Sequence, residues 1–354
     1  MENGLNEYLQ PTSDDRQIWD LWLTGLYQGT IVAADDAGIF AALAERPATI
    51  EELAGRLDFD ARATGIVLRL LAALELLVQR QGRYQLTDSA RTYLVKSSPF
   101  YWGHMMRVGV SDWHRGTALA KLRQKGSAET AGPEGTPRPT GSGRPADGWA
   151  AGEIEIGRAE QIAASMQSHS LPAAIAAARN YDFGGIKRIL DIGGGSGCFM
   201  IAAAQAHPGL EATVMELGTM CDVAAKYIAA GGVGARVDTV AVNMFREPWP
   251  KGYDALFFSN VWHDWNFRTC AWLAARAYEA LPAGGRIILH EALLDDDGGG
   301  PRTTAAFSML MLLATQGQQF TFAELKGLLE GAGFEDVETR QTAGYYSLTT
   351  GYKR

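Results

Sequence analysis

Hydrophobic and polar positions alternate with two different periods along this chain. From 16 to 45 the apolar residues Trp19, Leu21, Trp22, Leu23, Leu26, Tyr27, Ile31, Val32 and Ile39 recur at helical spacing and cover too much of the circumference for a solvated helix. Such a helix is covered by its own chain or by a second subunit. Thr49 with Glu52 three residues on predicts a capping-box helix start, followed by a helix over 61–77 and a hairpin over 78–86. Helix, turn, helix and hairpin in that order make a winged-helix pattern. After Gly185 short apolar runs predict strands over 188–191, 212–216, 237–242, 255–259 and 286–292, alternating with helices over 198–206, 221–230 and 269–281. That alternation predicts an α/β domain with an open, mainly parallel sheet and helices on both faces.

Between the two patterns, Gly132-Pro133-Glu134-Gly135-Thr136-Pro137 and its neighbours can neither hold a helix nor bury a strand. The expected division is a helical and winged-helix region at 1–120, a flexible linker or loop at 121–152 and an α/β domain at 153–354. With 354 residues, 47% of them hydrophobic, both domains can build cores. The net charge of −8 weighs against nucleic acid as a partner, and the stretch 60–69, where a recognition helix would lie, carries Arg62 and Arg69 as its only basic residues. No run approaches the length of a membrane span, and residues 1–15 lack the features of a secretory leader. Cys198, Cys221 and Cys270 lie far apart and read as ordinary thiols in a reducing compartment, with no metal-ligand pairing. The expectation is a cytoplasmic protein with no membrane or metal partner.

The most informative chemistry lies in Asp191-Ile192-Gly193-Gly194-Gly195-Ser196-Gly197. A strand ending in D-x-G-x-G-x-G ahead of a helix is a nucleoside-binding turn: Gly193, Gly195 and Gly197 permit the turn conformations and a close ligand approach. It differs from the G-x-G-x-x-G dinucleotide fingerprint by an acid before the first glycine, which disfavours a pyrophosphate and suits a cationic or zwitterionic ligand. Glu216 ends the second strand, where an acid can take both ribose hydroxyls. These features favour S-adenosylmethionine (SAM) over NAD. Asp191, Glu216, Asn243, His263 and Glu291 all fall at strand ends or just beyond, the edge at which such sheets bind ligands.

Val261-Trp262-His263-Asp264-Trp265, followed by Leu281-Pro282-Ala283-Gly284-Gly285-Arg286 and Leu289-His290-Glu291, resembles the SAM-dependent O-methyltransferases of the caffeate, hydroxyindole and bacterial polyketide-tailoring type. The resemblance covers nearly the whole chain. It implies a Rossmann-like class I methyltransferase domain behind an all-α, winged-helix dimerisation domain, a homodimer, SAM as cofactor and S-adenosylhomocysteine as product. It also implies that His263 is the general base, with Glu291 orienting it and Asp264 completing the catalytic group. Asp191, Gly193, Gly195 and Gly197 would cradle the methionine portion and Glu216 the ribose, with Asn243, Met244 and Phe245 beside the adenine. Asn243 stands where the family carries Asp and is expected to accept from the adenine amino group through its carbonyl oxygen. Ser259 adds a small polar group to the cofactor set. Trp265 either stacks near the adenine or packs the start of a helix.

In-line methyl transfer needs the acceptor oxygen held about 3 Å from the methyl carbon and its proton removed. A phenol with a pKa of about 10 is a poor nucleophile until deprotonated, and histidine is the side chain that titrates nearest neutrality. Acceptor-pocket candidates are Trp102, Met106, Met166, His169, Met309, Leu312 and Gln316, which predict a flat aromatic or polyketide-like small molecule. Gln319 joins them, in Gly317-Gln318-Gln319-Phe320-Thr321, where plant members carry a second acid that orients the histidine. Three other readings stay open: carbon methylation of an enolisable keto acid, a SAM-binding relative that transfers no methyl group, and a ligand-sensing winged-helix regulator.

Overall fold

The computed structural model describes residues 11, 13–107, 111–124 and 155–354. These residues form two compact units. One takes the described residues of Arg16–Thr130 together with Leu293–Phe322, and the other those of Met1–Asp15, Ala131–Ala292 and Ala323–Arg354. The units divide the chain differently from the boundaries expected above, because 293–322 groups with the N-terminal region. The expected linker lies outside the described residues from 125 onward, and 121–123 end the helix Asp112–Arg123.

In the helical unit the apolar run of 16–45 is three helices, Arg16–Leu23, Gly25–Asp36 and Ile39–Glu45. Gly38, at φ 77°, supplies the left-handed turn between the last two. Trp19 and Leu23 are buried, whereas Ile18, Leu21 and Trp22 are exposed. The helix Arg302–Ala314 is apolar on nearly every side and packs here, with Phe307 5.3 Å from Trp19, which accounts for the grouping of 293–322. The expected capping box is present: Glu52 N–H donates to Thr49 Oγ1 and Thr49 N–H to Glu52 Oε2, both at 3.2 Å. Helices Ile50–Leu57 and Ala61–Ala73 follow, then the antiparallel hairpin β1 (Leu77–Arg80) and β2 (Arg83–Leu86). Arg83 grips Glu52 through two 2.6 Å hydrogen bonds and ties the hairpin to the helix.

The other unit is built on a seven-stranded sheet. Five strands are parallel, β3 (Arg188–Ile192), β4 (Glu211–Glu216), β5 (Val237–Ala241), β6 (Ala255–Ser259) and β7 (Arg286–Ala292). Two more, β8 (Glu335–Ala343) and β9 (Tyr346–Tyr352), pair antiparallel and give the order β5-β4-β3-β6-β7-β9-β8. The parallel strands are the ones expected from the sequence, and the closing antiparallel pair is an addition to them. Ile189, Leu190, Val214, Leu256, Phe257, Phe258, Ile288 and Leu289 are buried, as expected of central strands covered on both faces. The strand order reverses between β3 and β6, and the crevice at such a switch point opens at the carboxyl ends of the strands. Helix Ile156–Asn180 packs on helices Cys198–Ala206 and Gly218–Ala230, partly through Ala159 and Ala163 against Met220 and Val223.

Candidate active site

The β3 strand delivers Asp191 to the sheet edge, and the loop behind it turns on three glycines. Gly193, Gly195 and Gly197 have φ of 71°, 57° and 75°, a region that side chains with a Cβ resist, and Gly197 caps the helix Cys198–Ala206. Above Gly195 an added Cβ would meet open space. Gly194, which sequence reasoning passed over, is required for another reason: a Cβ there would lie 2.5 Å from Asp191 Oδ2. The loop is also held from outside, since Ser196 Oγ donates to Gln167 Oε1 at 2.5 Å.

Asp191 is buried, and among the described residues neither carboxylate oxygen has a hydrogen-bond partner. Burial, helped by the charge of Glu216, pushes its pKa up to about 8. Glu216 ends β4 and accepts the Leu217 N–H at 2.8 Å. Burial raises its pKa too, against the pull of hydrogen bonds from the Leu217 and Gly195 backbone. Beside it, Val242 N–H donates to Glu216 O and carries the chain into Asn243. Asn243 is buried, and its Oδ1 accepts the Phe245 N–H at 3.0 Å. The carbonyl oxygen expected to meet an adenine amino group is thus engaged by its own turn. Trp265 is buried and meets Phe245 in a T-shaped contact at 4.7 Å. Met244 O accepts from Trp249 Nε1.

A short 3-10 turn, Trp262–Asp264, presents His263 next to β7. Its Nδ1 lies 2.9 Å from Glu291 Oε2, and both side chains are buried. Glu291 Oε1 accepts the Trp262 N–H at 3.1 Å, so the carboxylate is tied to the turn that carries the histidine. Burial alone would depress the pKa of His263, but the charge and hydrogen bond of Glu291, with the charge of Asp264, outweigh it and leave the pKa above 6.5. Asp264 itself is pushed up to about 6 by burial, against the pull of His263. Ser259, at the end of β6, shares a 3.0 Å hydrogen bond with His290 Nδ1. His290 lies parallel to Tyr346 at 4.6 Å, a contact with no signal in the sequence. His169, on the helix before the sheet, is held down to about 4 by burial and by the charge of His263. Its Nε2 is 3.4 Å from Met166 Sδ.

The structure brings Asp191, the three glycines, Glu216, Asn243 to Phe245, Ser259, His263 to Trp265 and Glu291 into one unit, together with Met166 and His169. Trp102, Met106, Met309, Leu312, Gln316 and Gln319 belong to the helical unit. There Trp102 is exposed, Met106 is half-buried, and Met309, Leu312 and Gln319 are fully buried. The sheet edge fits SAM: two buried, unpartnered oxygens of Asp191 call for a cation such as the ammonium of its methionine end.

Comparison with known proteins identifies the family. The O-methyltransferase domain family matches residues 141–335 and the O-methyltransferase dimerisation domain matches 19–96. The 3-hydroxy-5-methyl-1-naphthoate 3-O-methyltransferase of Streptomyces sahachiroi is 36% identical over 318 residues, covering 89% of this chain and 88% of that protein. The acetylserotonin O-methyltransferase of Bos taurus is 30% identical, covering 91% and 93%. Among solved structures, an O-methyltransferase family 2 protein from Planctomyces limnophilus in complex with apigenin aligns with a TM-score of 0.82 at 26% identity, over 98% of both chains. The dimerisation-domain match precedes the O-methyltransferase-domain match along the sequence, and the chain belongs to the SAM-dependent small-molecule O-methyltransferases.

Proposed function

We propose that this methyltransferase acts on a hydroxyl of an aromatic or polyketide-like small molecule and that His263 is its general base. The observation that carries the reading is the buried His263–Glu291 contact of 2.9 Å. Nδ1–H donates to Glu291, which leaves the lone pair of the neutral ring on Nε2, the atom that removes the acceptor's proton. As His263 becomes an imidazolium, Glu291 and Asp264 stabilise it by charge. SAM, when bound, supplies an electrophilic methyl on a sulfonium. Asp191 holds its ammonium, the glycine loop lets the methionine end approach the backbone, and Glu216 takes the ribose hydroxyls. Asn243, Met244 and Phe245 lie beside the base, and Ser259 lines the same edge. Met166 and His169 are the acceptor-side candidates in this unit, with His169 neutral at pH 7.

The dimerisation-domain match supports a homodimer formed through the N-terminal region, where Ile18, Leu21 and Trp22 are exposed. Arg62 donates to Gly317 O at 2.8 Å, which supports a winged helix without a nucleic-acid role. All three cysteines are free and buried, in keeping with a cytoplasmic setting. No helix among the described residues is long and apolar enough to cross a membrane.

The naphthoate substrate in the name of the Streptomyces relative supplies the test acceptor class. Incubation with methyl-labelled SAM and a set of hydroxynaphthoates, read by mass spectrometry, is expected to give an O-methylated product. His263→Ala is expected to lower turnover by about 10²- to 10⁴-fold with the affinity for S-adenosylhomocysteine unchanged. Label placed on nitrogen or carbon, or a variant as active as wild type, refutes the reading.

A further inference from the structure

Asn243 sits just past the end of β5, beside the end of β4, and its amide is oriented by its own turn. The Phe245 N–H donates to Asn243 Oδ1 at 3.0 Å. An amide nitrogen cannot accept a hydrogen bond, so this contact decides which end of the side chain is oxygen and which is nitrogen. The oxygen faces the turn and the NH₂ faces away from it. On the other side, the main-chain N–H of Asn243 donates to Glu247 Oε2 at 2.7 Å. An aspartate here would keep the turn, but it would offer an acceptor in the outward position and set a second carboxylate beside that of Glu247. Asparagine presents a donor and adds no charge.

From this the geometry points to base recognition of reversed polarity: Asn243 Nδ2 donates to an acceptor on the edge of the cofactor's nucleobase, and the 6-amino group of adenine is not what this side chain reads. The inference rests on the placement of residues 243–245 beside the base proposed above. A donor facing the adenine amino group would leave both without a partner, an arrangement that costs affinity when buried. A ring nitrogen of adenine satisfies Nδ2, and in the 6-oxo base, whose N1 carries a hydrogen, the neighbouring 6-oxo oxygen does so in its place. The site therefore tolerates exchange of the 6-amino group for an oxo group.

The experiment is isothermal titration of the full chain with S-adenosylhomocysteine and with its 6-oxo counterpart, S-inosylhomocysteine, for wild type, Asn243→Asp and Asn243→Ala. Wild type is expected to bind the 6-oxo form at least as tightly as the amino form, to within about threefold. Asn243→Asp, which keeps an acceptor for the Phe245 N–H, is expected to shift the ratio toward the amino form by about tenfold or more. Asn243→Ala is expected to weaken both. A wild type that prefers the amino form by about tenfold, with a ratio unmoved by Asp, overturns the donor assignment while leaving the residue at the base. Unchanged affinity for both nucleosides in both variants removes Asn243 from the base, and the underlying placement falls with the inference. Should the Asp variant not fold, the wild-type ratio alone decides.

Discussion

His263 and His290 are buried near the carboxyl edge of one sheet, 4% and 0% exposed, yet they titrate in opposite directions. His290 has Phe199, Phe257 and Tyr346 around its ring, with Ser259 as its hydrogen-bond partner at Nδ1. With no carboxylate among the described residues to offset it, burial, aided by the charge of His169, lowers the pKa of His290 to about 3. His263 meets the same loss of water but has Glu291 at 2.9 Å, and its charged form wins. Burial sets how strongly a neighbour is felt, and the neighbour's charge sets the sign. One imidazole is thereby helped to take and hold a proton, while the other is fixed as a flat, neutral packing element.

The largest expected effect comes from making the two sites alike. Glu291→Gln takes that charge from His263 and leaves burial opposed by the charge of Asp264 alone, so the pKa of the ring falls. Because the base works in its neutral form, kcat/KM of wild type rises with pH through a midpoint above 6.5. In the variant that midpoint moves down, and the maximal rate drops by about 10- to 100-fold. A pH–rate profile reads both, and an unmoved acid limb refutes the assignment. The linked stability has the same sign. Stabilisation by the raised His263 pKa is complete below about 6.5 and is lost as pH rises through the folded value.

Asp191 sharpens the comparison from the acid side, as a buried carboxyl with no cation beside it among the described residues. Its pKa of about 8 keeps it protonated at pH 7 until a cationic ligand arrives. Binding of S-adenosylhomocysteine below pH 8 is expected to release a proton, seen as a buffer-dependent enthalpy in calorimetry. Asp191→Asn abolishes that release and weakens binding by about tenfold. In the unliganded protein the raised pKa favours folding at low pH, and this contribution is lost as pH climbs from about 4 to about 8. Urea unfolding across that range is expected to give a flatter profile for the variant. The smallest effect is expected at His290. His290→Phe suits the aromatic surroundings, so kcat/KM should stay within about threefold, its acid limb should not move, and stability should change by less than about 1 kcal/mol. A moved acid limb shows that His290 takes part in the titration.

Much of this edge was legible in the sequence because it is built from strand ends. Apolar runs mark β3 to β7, and whatever polar residue follows each run must emerge at the same edge, which assembled Asp191, Glu216, Asn243, His263 and Glu291. The glycine spacing likewise announced the positive φ at 193, 195 and 197. Contacts set by tertiary neighbours were not legible. Nothing in the periodicity of helix Ile156–Asn180 says that Gln167 reaches Ser196. An apolar helix at 302–314 shows that it is buried, not in which unit. The breaks at Thr24 and Gly38 were hidden by apolar residues continuing on either side. The reversed amide of Asn243 depends on a backbone N–H two residues on, which residue type does not encode.

The clash between a Cβ at Gly194 and the Asp191 carboxylate makes these two positions a single hereditary unit. A library that varies the loop one residue at a time will score Gly194 as immutable, because every replacement collides with an acid that is itself retained. Shortening residue 191 first opens part of that space, with Val214 Cγ1 at 2.9 Å as the remaining wall. Routes to a rebuilt cofactor loop therefore run through paired changes taken in order, acid before glycine.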